Sequence, residues 1–188
     1  AVDFQLAYVW QVNRIYGQEV PAGENENETW LGNLGYNLEG LGKLTGYYYD
    51  IDNYDVAAYS TSTYGARFAG SHKFGENAQG NVLGYALEYA HQEDAHNTPV
   101  AYGANYYRID ASLGIGKVTP YVGYESLGGD DSKAGASFRT PLATLHAFNG
   151  WADMFTNTPD AGLNDLFVGV KGPIGAWTWD ILYHDFDA

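Results

Sequence analysis

Two short polar segments carry the side chains that metal ions prefer. Residues 91–96 set His91 and His96 around two carboxylates, a combination that can bind zinc or another transition metal. Residues 50–55 hold three aspartates spaced like the start of a calcium loop, but the glycine and the final carboxylate of such loops are missing. Both segments are also polar enough to be ordinary solvated loops. We therefore expect no cofactor, and at most weak calcium binding in the long loops of the chain.

A second set of ionisable residues alternates in sign. Glu88 and Asp110 could face each other across neighbouring segments, with Arg67 and Arg108 beside them. Paired carboxylates can act as acid and base in catalysis. Carboxylates interleaved with arginines also build the transverse field of a pore. The chain has no cysteine, which excludes thiolate chemistry, and we expect no enzymatic activity.

The composition restricts both the partners and the fold class. Nine basic residues against 23 acidic ones give a net charge of -14, and no nucleic-acid partner is expected because phosphate binding needs clustered Lys and Arg. The sequence has no run of about 18 apolar residues, the length that a membrane-spanning helix needs. The 24 glycines and 17 tyrosines favour tight turns and strands, so the fold class is predicted to be all-β.

Apolar and polar residues alternate along most of the chain, which is the period of a strand with one apolar face. The first segment, 2–13, is long enough to cross a bilayer as a tilted strand, which takes about 9 to 11 residues. On one of its faces lie Val2, Phe4, Leu6, Tyr8, Trp10 and Val12. The pattern predicts nine strands, at residues 2–16, 29–39, 43–52, 61–73, 81–92, 102–115, 118–127, 163–170 and 176–186.

Long and short connections alternate between these strands. The long ones are 17–28, 53–60, 93–101 and 128–162; the short ones are 40–42, 74–80, 116–117 and 171–175. This alternation is typical of an antiparallel up-and-down β-barrel of the bacterial outer membrane. Each short turn has a lysine in or beside it, whereas carboxylates gather in the long connections, where they could share cations with lipopolysaccharide. Outer-membrane lipid and lipopolysaccharide are the expected surroundings.

The chain is interpreted as one domain, residues 1–188, and its strand number predicts that it is part of a larger barrel. Nine is odd, whereas closed bacterial barrels have an even number of strands. The residues predicted to face lipid are Phe4, Leu6, Tyr8, Trp10, Leu83, Tyr85, Leu87, Ile109, Leu113, Trp179 and Ile181. Those predicted to line the pore are Arg14, Arg67, Glu88, Arg108, Asp110, Glu125, Asp165 and Asp180.

The longest connection, 128–162, contains a helical pattern. Thr140 is a candidate N-cap, and Pro141 suits the first helical position. A short amphipathic helix is predicted over 140–155, either packed on the inside of the wall as a constriction or laid over the outer mouth. The predicted constriction residues are Thr140, Leu142, Leu145, His146, Phe148, Trp151 and Phe155.

Four stretches resemble the alginate export family of outer-membrane barrels. They are 138–155 (FRTPLATLHAFNGWADMF), 158–166 (TPDAGLNDL), 121–130 (YVGYESLGGD) and 182–186 (LYHDF), so the specific resemblance covers about residues 102–188. It implies a large monomeric barrel of about eighteen strands, of which this chain would supply roughly half. It also implies a pore for a solute or polysaccharide, and a gating or narrowing role for the segment 140–155.

Three functions remain open. The favoured one is an outer-membrane channel for diffusion or export of small solutes or polysaccharide. Because the inward charges are more acidic than basic, either further strands supply the cations that a polyuronate needs, or the chain passes neutral or small solutes. The alternative is a structural barrel that serves as a scaffold or sleeve around a periplasmic or surface protein. A soluble all-β binding domain is the third, and detergent partitioning would exclude it.

Overall fold

The computed structural model describes residues 1–14, 16–17, 19–20, 23–75, 81–143, 149 and 152–188. In this part of the chain, nine antiparallel strands form one sheet, and each strand pairs with its neighbours in sequence. They are β1 (Val2–Asn13), β2 (Glu24–Leu38), β3 (Gly42–Asn53), β4 (Thr61–Phe74), β5 (Asn81–Asp94), β6 (Gly103–Gly114), β7 (Thr119–Gly128), β8 (Gly162–Ile174) and β9 (Trp177–Asp187). The strands β1 and β9 are the two edges of the sheet.

Little of the described chain is helical. One 3-10 turn, Ala57–Tyr59, lies between β3 and β4. No described helix has the length and apolarity needed to span a membrane. The all-β fold class and the nine up-and-down strands are thus confirmed.

The largest boundary difference is at β2, which begins at Glu24, five residues before the predicted start at Thr29. The stretch 24–28 alternates asparagine with glutamate and therefore carries no apolar signal. Asn25 and Asn27 are nevertheless buried, and the glutamates lie on the other face. Polar side chains that are buried in a strand cannot be told from loop residues by hydrophobic periodicity.

The connections alternate in length as predicted. At one end of the sheet are 14–23, 54–60, 95–102 and 129–161, and at the other are 39–41, 75–80, 115–118 and 175–176. The contrast is smallest between 54–60 and 75–80, and residues 76–80 lie outside the described part. We call these the long-connection end and the short-turn end.

The two faces of the sheet differ in chemistry. Residues that pair directly across strands share a face, so the register defines a row made of Thr45, Arg67, Glu88, Arg108, Glu125 and Asp165. We call this the covered face because the connection 129–161 packs on it. On the opposite, open face the large apolar side chains are exposed, among them Phe4, Leu6, Trp10, Leu34, Leu87, Ile109, Leu166, Val168 and Ile181.

The apolar core lies between the covered face and the connection 129–161. Its buried members are Ala90, Ala104, Leu127, Phe138 and Leu163, and Tyr47, Tyr102, Tyr106, Phe155 and Phe186 pack against them. The core is small, and most large apolar residues of the chain are on the open face instead.

A β-bulge corrects the predicted facing of β1. Between Val9 and Gln11 the register shifts, so that two residues of β2, 27 and 28, lie opposite Trp10 alone. Beyond this point the alternation is reversed. Val12 pairs with the buried Asn25 and does not continue the face of Phe4.

The third strand, whose facing the sequence left open, is resolved by the register. Tyr48 lies on the open face with 53% of its surface exposed. Tyr47 and Tyr49 pair with Gly65 and Thr63, and both lie on the covered face.

The helix predicted over 140–155 is not found at the described residues of that segment, 140–143, 149 and 152–155. They form turns and a bend, except for Thr140 and Asp153, which have no regular structure. The amide of Ala143 donates to the carbonyl of Thr140 at 3.0 Å, so Pro141 sits second in a β-turn. Proline suits that turn position as well as the first position of a helix. The pair Thr140-Pro141 is therefore compatible with the start of a helix and with a β-turn.

Candidate functional site

A row of charges crosses the middle of the covered face. Arg108 on β6 donates from Nε to Asp110 at 2.9 Å and from Nη1 to Glu125 of β7 at 3.4 Å. Arg67 on β4 lies 3.8 Å, Nε to Oε2, from Glu88 on β5. Consecutive antiparallel strands place Arg67, Glu88, Arg108 and Glu125 directly opposite one another, and Asp110 lies two residues further along β6. With Asp165 of β8 at the end of the row, the structure brings together six of the eight residues predicted to line a pore.

The row ends in a buried hydrogen-bonded pair, and the sequence did not predict that its two residues are partners. Asp165 on β8 is 1% exposed and accepts a hydrogen bond from Nδ1 of His184 on β9 at 2.8 Å. The ring of His184 stacks on Phe186, with centroids 5.1 Å apart. A buried carboxylate needs such a partner. The spacing His184-x-Phe186 was the available signal, since both side chains share a face.

Two predicted pore residues lie apart from the row. Asp180 is exposed on β9 and accepts a hydrogen bond from the hydroxyl of Tyr121 at 2.6 Å. Arg14 follows β1 at the long-connection end, where its guanidinium lies 4.7 Å from the ring centroid of Tyr59 and donates to the carbonyl of Pro141 at 2.9 Å. Arg14 therefore holds the connection 129–161.

Three tyrosines that sequence reasoning missed stand beside the charged row. The hydroxyl of Tyr47 donates to Glu88 at 2.8 Å, and that of Tyr106 donates to Glu125 at 2.5 Å. Tyr49 stacks on Tyr47 with ring centroids 4.9 Å apart. The signal available in the sequence was the spacing Tyr47-x-Tyr49, which puts both rings on one face of a strand.

Gly65 makes room for Tyr47. It lies directly opposite Tyr47 on β4, and a Cβ at this position would fall 2.6 Å from the ring atom Cζ. The ring can therefore lie flat across β4 and reach Glu88 on β5. A glycine inside a strand often marks this kind of close approach.

Gln92 on β5 joins the sheet to the connection 129–161. Its side-chain amide donates to Thr63 and to the carbonyl of Arg139, both at 2.9 Å. Its Oε1 accepts from the amide of Arg139 at 2.7 Å and from the hydroxyl of Tyr102 at 2.9 Å. Burial raises the pKa of Tyr102 to about 12, so this phenol stays a proton donor at neutral pH.

Arg139 fixes the same segment from its side chain. Its guanidinium donates to the backbone carbonyls of Ala58 and Gly135. It also lies over the ring of Tyr102, 5.4 Å from the centroid. The connection is thus held to β5 and to two neighbouring connections by charged and amide donors.

Between the covered face and the connection lies a cleft of about 570 Å³. Its floor includes Tyr47, Tyr49 and Tyr106 with Glu88, Arg108 and Glu125, and its roof includes Phe138 and the turn at Pro141. This volume is in the range of small-molecule binding sites. The cleft combines aromatic surface with convergent charged groups.

Comparison of the chain with protein-family models, curated proteins and solved structures gives no match. Function is therefore inferred from the residues and geometry of the two faces of the sheet.

The predicted constriction residues divide into two groups. Thr140, Leu142 and Phe155 line the cleft. Leu145, His146, Phe148 and Trp151 lie outside the described residues. The described ones lie against the covered face of the sheet, and a constriction of a pore by them stays a prediction.

The two metal-like segments meet at the long-connection end. His96 lies between Asp50, 3.1 Å from Nε2, and Asp52, 3.5 Å from Nδ1. His91 instead contacts Asn105 through Nδ1 at 2.8 Å. Among the described residues, no three His, Asp or Glu side chains are arranged as metal ligands.

Proposed function

We propose that the chain forms part of an outer-membrane β-barrel that conducts solutes or polysaccharide. The observation that carries the proposal is the open face. Large apolar side chains are exposed on it along the whole sheet, with Phe4 at 65%, Leu87 at 50% and Ile181 at 66%. Water-soluble monomers rarely expose apolar patches larger than a few hundred Å². A lipid environment accounts for this face without any further partner.

The covered face supports the same proposal from the other side. Barrel interiors are polar, and short turns alternate with long loops. The row from Arg67 to Asp165 supplies the polar wall, and the connection 129–161 packs on that wall as a constriction would. A sleeve around a protein partner is less favoured because the chain's own connection already covers this face. The alginate-export resemblance stays a prediction.

Single-channel recording in planar bilayers tests the proposal. An open pore conducts, whereas a sleeve filled by protein does not. We expect the double variant Arg67→Ala, Arg108→Ala to shift the reversal potential toward cation preference, because Glu88 and Glu125 lose the arginines that oppose them. Stability should fall by about 0 to 1 kcal/mol for the partly exposed pair Arg67–Glu88, and by more for Arg108, whose partner Glu125 is buried.

The matched control is Lys73→Ala with Lys117→Ala, two cations near the short-turn end and away from the row. This control should leave the selectivity close to that of the parent chain. A protein that partitions into bilayers and never conducts would refute the channel. A double variant that conducts and selects like the parent would place the permeation path elsewhere.

A further inference from the structure

The cleft presents acceptors and aromatic rings rather than proton donors. Its three tyrosine hydroxyls donate within the protein, those of Tyr47 and Tyr106 to glutamates and that of Tyr49 to Asn33 at 2.9 Å. Arg108 donates to Asp110 and Glu125. A ligand with acidic groups would therefore compete with donors that already have partners.

The charge around the cleft is negative on balance. Of the residues that line it, Glu88, Glu125 and Asp153 are acidic, and Arg108 and Arg139 are basic. The guanidinium of Arg139 is held by two backbone carbonyls. A low-dielectric cleft with an excess of one charge concentrates ligands of the opposite sign.

The rings add a second attraction for cations. Tyr47 stacks on Tyr49, and Tyr106 stacks on Phe138 with centroids 5.3 Å apart. An aromatic face carries negative charge density and attracts an organic cation placed within about 6 Å of its centroid. A phenol that donates to a carboxylate becomes richer in electrons, so the contacts of Tyr47 with Glu88 and of Tyr106 with Glu125 strengthen this effect.

We propose that the cleft binds a small organic cation of the quaternary-ammonium class, with its methylated nitrogen against the rings of Tyr47, Tyr49 and Tyr106 that line the cleft and with Glu88 and Glu125 supplying the opposite charge. The proposal refines the proposed function by naming the class of solute. It rests on the proposed function only in assuming that the solute reaches the cleft through the channel. Binding and conduction can therefore fail separately.

Calorimetric titration of the folded chain in detergent micelles tests the charge requirement. The probes are choline and 3,3-dimethyl-1-butanol. The second has the shape of choline, with an uncharged carbon in place of the nitrogen. Cation–π attraction predicts that choline binds more tightly by about fivefold or more. Equal affinity for the two probes, or no binding of choline, would overturn the proposal whether or not the chain conducts.

Two variants then assign the binding to the cleft. Glu88→Gln keeps an acceptor for Tyr47 but removes the charge, and Tyr47→Leu removes the ring. Each should weaken choline by about threefold to thirtyfold and leave the isostere nearly unchanged. Glu39→Gln, at the short-turn end, is the matched control and should bind as the parent does.

Two further probes separate the competing ligand classes. Glucuronate and a neutral trisaccharide are titrated under the same conditions. Both should bind more weakly than choline. If either binds more tightly, the cleft is a sugar site and the cation assignment is wrong.

Discussion

Gln92 shows how much a single polar side chain can hold in place. It is 2% exposed and takes part in four hydrogen bonds, two of them with the backbone of Arg139. Arg139 is 47 residues further along the chain. If Gln92 is removed, the backbone amide and carbonyl of Arg139 lose these two hydrogen bonds at a partly buried position. The side chain therefore sets where the connection 129–161 begins its path over the covered face.

The first prediction concerns this residue. Gln92→Leu keeps a similar volume but removes every hydrogen bond, which should lower the free energy of unfolding by about 2–4 kcal/mol, since each buried group left unpaired costs about 1–3 kcal/mol. Limited proteolysis within 129–161 should become faster. The control is Gln11→Leu, whose amide makes an exposed hydrogen bond to Asn13. Unchanged proteolysis in the Gln92 variant would show that these hydrogen bonds are not needed to hold the connection on the sheet.

Partners could be predicted where they lie directly opposite one another on consecutive strands. Arg67, Glu88 and Arg108 were expected together for this reason. The partner of Gln92 comes from a long connection. That of Asp165, His184, is on the next strand but two residues from the position directly opposite, which is Phe186. No periodicity in the sequence encodes which side chain a connection brings back to the sheet.

At the scale of the strands, alternation predicted all nine elements and failed where polar or irregular residues carry the structure. The start of β2 consists of buried asparagines, and the bulge near Val9 reverses the facing of Val12. Both features depend on cross-strand neighbours. Thr140 and Pro141 show the related ambiguity of one local signal that fits a turn as well as a helix.

The second prediction tests the two faces within a single strand. Ile109 lies on the open face of β6 with 55% of its surface exposed, and Ser112 lies on the covered face of the same strand. Ile109→Arg should cost about 2–4 kcal/mol if the open face contacts lipid near the bilayer midplane, and Ser112→Arg much less. Urea unfolding in lipid vesicles measures both values. Equal costs would contradict the lipid-facing assignment.

At the scale of the whole molecule, one connection spans much of the sheet. Contacts of 129–161 reach Arg14 after β1, Ala58 between β3 and β4, and Gln92 on β5. The connection supplies no strand to the sheet, since every pair of hydrogen-bonded strands is adjacent in sequence. The connection should therefore be removable without loss of the sheet.

The third prediction follows from this arrangement. Replacing 140–154 by a short Gly/Ser linker should raise single-channel conductance, because its described residues 140–143, 149 and 153 line the cleft. The strand content by circular dichroism should stay the same. Shortening 131–134, which belongs to the same connection but does not border the cleft, is the control. Equal conductance in the two variants would place 140–154 outside the path.

The nearest-neighbour strand order also has a kinetic consequence. Hairpins of adjacent strands are local contacts and can form early, whereas the contacts of Arg14 with Pro141 and of Arg139 with Ala58 join residues 127 and 81 positions apart. Contacts at such separations close large loops and form late in folding. The sheet can thus assemble hairpin by hairpin while the cleft is still open, and the cleft is completed only in the final step.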